Sequence, residues 1–378
     1  MSRIISSNMT ALHNPFLSRS NLLSSRRRAA GRTNSAPHHL SVPVRHPPSS
    51  QHPSLKSTVN NKKPFLWKDF SKLALSNCHQ NDYHQVLRWR DQLELSQQPQ
   101  QLRDQPMKWF VWSMGMLPDP QFSMQRIELS KVIAFIYVID DIFDLLGSLE
   151  ELTLFTKAVE RWDNSQLILL DSLPAYMKFC LNALCTTTNE IADVVTKEYG
   201  LNPIDSLRKL WTSLFQAFLV EAEWFRCEPS PKAKEYLDNG VISSGVCVVL
   251  GHLNFLLGNE GNGKNIALLD DDEMPLIFSQ VGLILRLCDD LESAEDENQD
   301  GFDGSYVDYY MKEHGVSLQT ARKHTNQMIS DAWTELNKEI LSEDLQVSST
   351  MKKATLNTVS VIKNMYKYEN QTLPILQE

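Results

Sequence analysis

Three aspartates, Asp140, Asp141 and Asp144, follow the apolar run "KVIAFIYVI" in the stretch "VIDDIFD", residues 138–144. A carboxylate beside buried apolar surface is costly unless it is paired or holds a cation. On a helix, Asp140 and Asp144 are four positions apart and share one face, with Asp141 about 100° around it. Such oxygens can bridge magnesium ions that also hold phosphates and waters. The pattern is short, and an N-capping or surface acidic cluster would read the same way. A second constellation, "LILRLCDDLESAEDE", again turns an apolar run acidic. Asp289, Ser293 and Glu297 fall at i, i+4 and i+8 there, on one helix face. Six of the nine residues 289–297 are acids, which a solvated face would also explain. The close approach of "VGLILRLC" favours instead a cavity mouth with carboxylates on opposite walls. Cations would fill the space between the walls, and an anion could sit on the cations. Arg286, one turn before Asp289, and Arg103, in "QLRDQPMKWF", are the basic candidates for that anion. Each would serve equally well in an ordinary ion pair.

The elements that must position these groups read as helices. From Pro64 onward apolar residues recur at three- and four-residue spacings with few breakers. "LWKDFSKLALSNCHQNDYHQVLRWRDQLEL" reads as an amphipathic helix pair. "MQRIELSKVIAFIYVIDDIFDLL" is apolar on nearly every side, the mark of a central buried helix. Ser148 and Glu151 form a capping box ahead of "LEELTLFTKAVERWD". Further helical stretches follow, separated by "CEPSPK", "LGNEGNGKN", "NQDGFDGS" and "LSEDLQVS". No alternating strand stands out, and "GVCVVLGHLNFLL" is as easily a buried helix. The expectation is one all-α domain over 61–378, a helical bundle around a central cavity. "GNEGNGKN" nearly spells a phosphate-binding loop, but Asn265 replaces the required hydroxyl, and a turn between helices is the better reading.

Charge separates the two ends of the chain. Of 37 Lys and Arg and 46 Asp and Glu in 378 residues, eleven bases and no acids lie in 1–68. That leaves 26 bases against 46 acids in 69–378. A basic head rich in Ser, Arg and Pro, without a secretory apolar core, is expected to be a disordered transit peptide over residues 1–60. Its Ser and Pro content favours a plastid; a disordered basic tail that binds nucleic acid or an anionic surface is the plain alternative. The acidic body argues against a nucleic-acid partner. No stretch is expected to span a bilayer. The six cysteines make no CxxC pair and read as buried thiols in a reducing compartment.

With these motifs in place, the chain resembles the plant class I terpene synthases over essentially all of residues 65–378. "DDIFD" is similar to their aspartate-rich motif. "DDLESAEDE" is similar to their second metal motif, (N/D)D-hydrophobic-x-(S/T)-x-x-x-E, 149 positions after the first. "LVEAEWF", "EYLDNGVISSGV" and "DGSYVDYYMKEHG" extend the likeness. The resemblance implies that Asp140 and Asp144 bind magnesium from one wall, with Asp141 supporting them, and that Asp289, Ser293 and Glu297 bind it from the other. Three ions are implied, with manganese as an alternative. Arg103 and Arg286 would take the leaving diphosphate of a prenyl diphosphate substrate. Trp112 would wall the pocket and stabilise a carbocation, although core packing would also account for it. Gly245 would break a helix and aim carbonyls into the cavity. The chain departs from the family in four ways. Gln105 stands where an Arg-x-Arg pair has its second arginine. The Arg-Arg-x8-Trp signature of cyclic-monoterpene producers is absent. The head adjoins the catalytic domain without the customary helical domain of about two hundred residues. The chain also stops at "LPILQE", where relatives continue, so an incomplete cavity lid is expected.

"RDQPMKWFVW" and "ENQDGFDGSY" look most like the branch that makes acyclic alcohols such as linalool and nerolidol. The expected reaction is magnesium-dependent ionisation of geranyl diphosphate to such an alcohol by a monomer or weak dimer. Farnesyl diphosphate as substrate, a cyclic product and a non-catalytic helical relative are the alternatives. A chain-elongating prenyl diphosphate synthase would carry a second DDxxD, and Ser293 and Glu297 do not fit one.

Overall fold

The computed structural model describes residues 77–95, 98–162, 172–226, 230–258, 274–293, 304–343, 345 and 347–368. Side chains of residues 77, 78, 292, 293, 367 and 368 are outside that description, as is the whole transit-like head, 1–60. Among the described residues all regular structure is helical, as the apolar periodicity predicts. The helices are α1 (Asn77–Gln92), α2 (Pro106–Met116), α3 (Ser123–Asp141), α4 (Leu149–Arg161), α5 (Ala175–Tyr199) and α6 (Ile204–Arg226). They continue with α7 (Ala233–Ser243), α8 (Val246–Leu257), α9 (Leu276–Ser293), α10 (Tyr306–His314), α11 (Leu318–Leu341) and α12 (Ser349–Tyr368).

Two apolar helices organise the bundle. α3 packs on α1, α2, α5 and α8, while α9 packs on α7, α8, α11 and α12. A closed circuit of packed neighbours, α3–α8–α9–α12–α2 and back to α3, joins them. The Asn357 side-chain amide of α12 fastens this circuit by donating to the Met116 carbonyl of α2 at 3.0 Å. The two helices that end in acids are thereby members of one ring, both packed on α8.

α3 is fixed at its start by a buried ion pair. Arg126, fully buried, donates to Asp82 of α1 at 2.7 and 3.0 Å and to the carbonyls of Leu117, Asp119 and Pro120. The α2–α3 connection thus has its carbonyls satisfied from within the core, as buried polar groups require.

At the other end, the sequence pattern implied one continuous helix through Asp144. The structure differs: α3 ends at Asp141, and Ile142–Leu146 form a π turn closed by the Gly147 N–H on the Ile142 carbonyl at 2.9 Å. Phe143 anchors that turn among Phe155, Phe215 and Phe218, at ring separations of 5.6–6.3 Å. Asp144 therefore sits on a widened turn rather than one regular helical turn above Asp140. The capping box of α4 forms as expected, with Ser148 N–H donating to Glu151 at 2.8 Å and Glu151 N–H donating back to Ser148 Oγ at 3.3 Å.

"GVCVVLGHLNFLL" is helical. α7 and α8 make one apolar segment broken at Gly245, whose φ of 74° suits glycine. A Cβ there would come within 2.9 Å of Ile136 on α3. The sequence expectation of no spanning run needs a correction here. Ala233–Leu257 taken together is long and apolar enough by composition, yet it is mostly buried in the bundle. Cys180, Cys185 and Cys247 are buried free thiols and Cys288 is half-buried.

Candidate active site

The first wall is the last turn of α3 and the π turn. Asp140 is 8% exposed and Asp141 is fully buried, while Asp144 is half-buried. Arg103, just ahead of α2, closes over them. Its Nη2 donates to Asp140 Oδ2 at 2.5 Å, its Nε lies 2.6 Å from Asp141 Oδ1, and its backbone N–H donates to Asp141 Oδ2 at 2.6 Å. Two opposed effects act on this cluster. Burial pushes the Asp141 carboxyl up to about 7, against the lowering by Arg103, and Asp140 and Asp144 add to the rise. Burial also opposes the charge on Arg103, but Asp141 and Asp140 outweigh it and hold the guanidinium above its usual range.

Arg103 and Lys108 both lie against the Tyr137 ring, at 5.5 and 6.0 Å from its centroid, one turn before Asp140. Lys108 is only 6% exposed and stands one helical turn before Trp112, which is also buried. Lys108 does not stand out in the sequence, because its burial leaves no mark on residue spacing. Gln105, at the α2 N-cap position, contributes no side-chain cap.

The second wall is the last two turns of α9. Arg286 (7% exposed) and Asp289 (3%) are buried there, 3.6 Å apart at their nearest charged atoms. Arg286 also donates to Ser243 Oγ at 2.9 Å and to the Gly240 carbonyl at 3.4 Å, beside Glu221 at 3.7 Å. Ser243 in turn donates to Glu221. Burial opposes the Arg286 charge, and Tyr236, Asp290 and Asp289 outweigh it, so the guanidinium is held above its usual range. The backbone of Ser293 closes α9, whereas its side chain and all of Glu297 lie outside the described residues.

The structure thus brings Arg103 together with Asp140 and Asp141, and Arg286 together with Asp289. Among the described residues, no three His, Cys, Asp or Glu side chains lie close enough to hold an ion by themselves. The donors offered by Asp140, Asp144 and Asp289 are carboxylate oxygens only, a set that suits magnesium and not a thiolate- or imidazole-seeking metal. A cavity of about 590 Å³ opens beside α6, lined by Arg208, Leu214, Cys247, Val248 and Phe278, and none of the acidic-motif residues lines it.

Residues 91–335 match the model of the terpene synthase family, metal binding domain. An (E)-nerolidol synthase of Cannabis sativa is 45% identical over 328 residues, covering 86% of this chain and 58% of the relative. A chloroplastic S-(+)-linalool synthase of Arabidopsis thaliana is 44% identical, covering 81% of this chain and 53% of the relative. The chain therefore spans little more than half the length of these relatives. Among solved structures, isoprene synthase from grey poplar leaves, in complex with three magnesium ions and dimethylallyl-S-thiolodiphosphate, superposes with a TM-score of 0.72. It is 32% identical and matches over 79% of this chain and 55% of its own.

Proposed function

The chain belongs to the terpene synthase family, through the metal-binding domain matched over 91–335, and from that premise we propose that it ionises a prenyl diphosphate and releases diphosphate. The observation that carries this reading is the pairing of an arginine with buried aspartates at the ends of both α3 and α9. Carboxylate and hydroxyl oxygens there would hold magnesium: Asp140 and Asp144 on one side, and Asp289, Ser293 and Glu297 on the other. The ions would neutralise the diphosphate and so make it a better leaving group. Arg103 and Lys108 add positive charge at the first wall, and Arg286 adds it at the second. That placement suits a departing diphosphate and needs no nucleophile. Asp141 acts through Arg103, holding both its backbone N–H and its guanidinium. Trp112 would face the allylic cation, with apolar surroundings that restrict water.

Geranyl diphosphate is the favoured substrate, and an acyclic alcohol such as linalool the favoured product. The likeness to the linalool synthase and the "RDQPMKWFVW" segment support this choice. The basic head and the relative's chloroplastic address support a plastid location, with the catalytic domain over 61–378. The equal likeness to a nerolidol synthase favours farnesyl diphosphate as the second reading. Products of the full chain, incubated with magnesium and each diphosphate in turn, decide between them by gas chromatography with mass detection. Linalool from geranyl diphosphate is expected. Turnover of farnesyl diphosphate alone selects the second reading, and a cyclic hydrocarbon contradicts the acyclic product.

A further inference from the structure

Asp290 follows Asp289 directly, is 2% exposed, and has no part in the metal set implied by the motif. Two other helices use its two oxygens. Oδ1 accepts the Tyr236 hydroxyl of α7 at 3.0 Å, and Oδ2 accepts the Tyr306 backbone N–H at the first residue of α10, at 2.9 Å. A carboxylate satisfies one of the otherwise unpaired N–H groups of a helix N-terminus there and is favoured by the helix dipole. Ser305, fully buried, caps the same helix by accepting the Asp308 N–H at 3.3 Å. The Tyr236 ring, in turn, lies 6.0 Å from the Arg286 guanidinium. One buried chain of contacts thus runs from the α10 N-terminus through Asp290, Tyr236 and Arg286 to Ser243 and Glu221.

We propose that Asp290 is a positioning residue. By clamping Tyr236 and Tyr306 onto the last turns of α9, it holds those turns in the orientation in which Asp289 and Arg286 serve the metal–diphosphate site. The inference rests on the function proposed above. Its physical basis is that a buried carboxylate with donors on two separate helices fixes their mutual placement. Loss of either donor removes one of the bonds that satisfy a buried carboxylate. Groups that orient ligands from behind affect metal affinity by about 10- to 100-fold when removed.

The test is calorimetric binding of inorganic diphosphate to the full chain across a magnesium titration, with circular dichroism as a check on folding. Asp290→Asn keeps the shape and only one accepting oxygen. Tyr236→Phe keeps the ring beside Arg286 and removes one donor. Ser317→Ala, which removes the α11 cap on the Thr320 N–H, is the control for lost stability alone. The magnesium midpoint is expected to rise about tenfold in Asp290→Asn, to rise less in Tyr236→Phe, and to stay put in Ser317→Ala. Wild-type midpoints in both folded site variants overturn the inference, and so does an equal shift in the control. If Asp290→Asn does not fold, the midpoint of Tyr236→Phe decides. A wild type that binds no diphosphate with magnesium overturns the site reading and this inference together. A binding wild type with unshifted variants overturns this inference alone.

Discussion

Arg103 makes three contacts with two aspartates, and its guanidinium makes the two side-chain contacts from separate, rigidly spaced nitrogens. Lysine carries the same charge as a single point. Arg103→Lys should therefore fold but release diphosphate from geranyl diphosphate at least about tenfold more slowly, as loss of a positioned donor does; a diphosphate-release assay reads this directly. Asp141 gives a second expectation. With its carboxyl pushed up to about 7 from an ordinary 3.8, the folded chain binds this proton more tightly than the unfolded chain does. Asp141 thus favours the metal-free fold below pH 4 and progressively loses that advantage as pH rises from about 4 to 7. Asp141→Asn should flatten the fall in urea-unfolding stability across that window, by a few kcal/mol at most on an order-of-magnitude scale. At this scale the two acidic motifs were legible because acids directly after apolar runs are conspicuous. Lys108, Tyr236 and the partners of Asp290 were not, because burial and cross-helix hydrogen bonds leave no mark on spacing.

The same difference in legibility holds for elements. The existence and order of most helices followed from apolar periodicity, and the α4 capping box from Ser148 and Glu151, whereas α2 and α10 did not stand out. The π turn did not, since "IFDLL" has the same apolar pattern in either winding, and only the seating of Phe143 among three other rings shows where it is held. Gly245 was read from resemblance, and the structure supplies its physical reason in a positive φ and the closeness of Ile136. Gly245→Ala should destabilise the chain by about 1–3 kcal/mol through strain and crowding, measurable as a lower urea midpoint. The Arg126–Asp82 pair was not legible, because its partners are 44 positions apart. Asp82→Ala strands a fully buried guanidinium and should cost about 3–5 kcal/mol. A smaller loss would mean that the carbonyls of Leu117, Asp119 and Pro120 suffice for Arg126.

At the scale of the whole molecule, the proposed function requires two acidic helix ends of one ring of helices to serve one anion. The all-α bundle was legible in the sequence, because nearly every apolar stretch keeps helical spacing. Cavity shape was not, because it depends on how helix faces meet across the ring, and with it goes the choice between ten- and fifteen-carbon substrates. The central claim is the joint action of both walls, and the most direct measurement is magnesium-dependent diphosphate release by wild type, Asp140→Ala and Asp289→Ala, each shown to be folded. Release by wild type is expected to stop when magnesium is chelated and to fall by at least about a hundredfold in each variant. Release that survives in either folded variant at the wild-type rate would contradict that joint action.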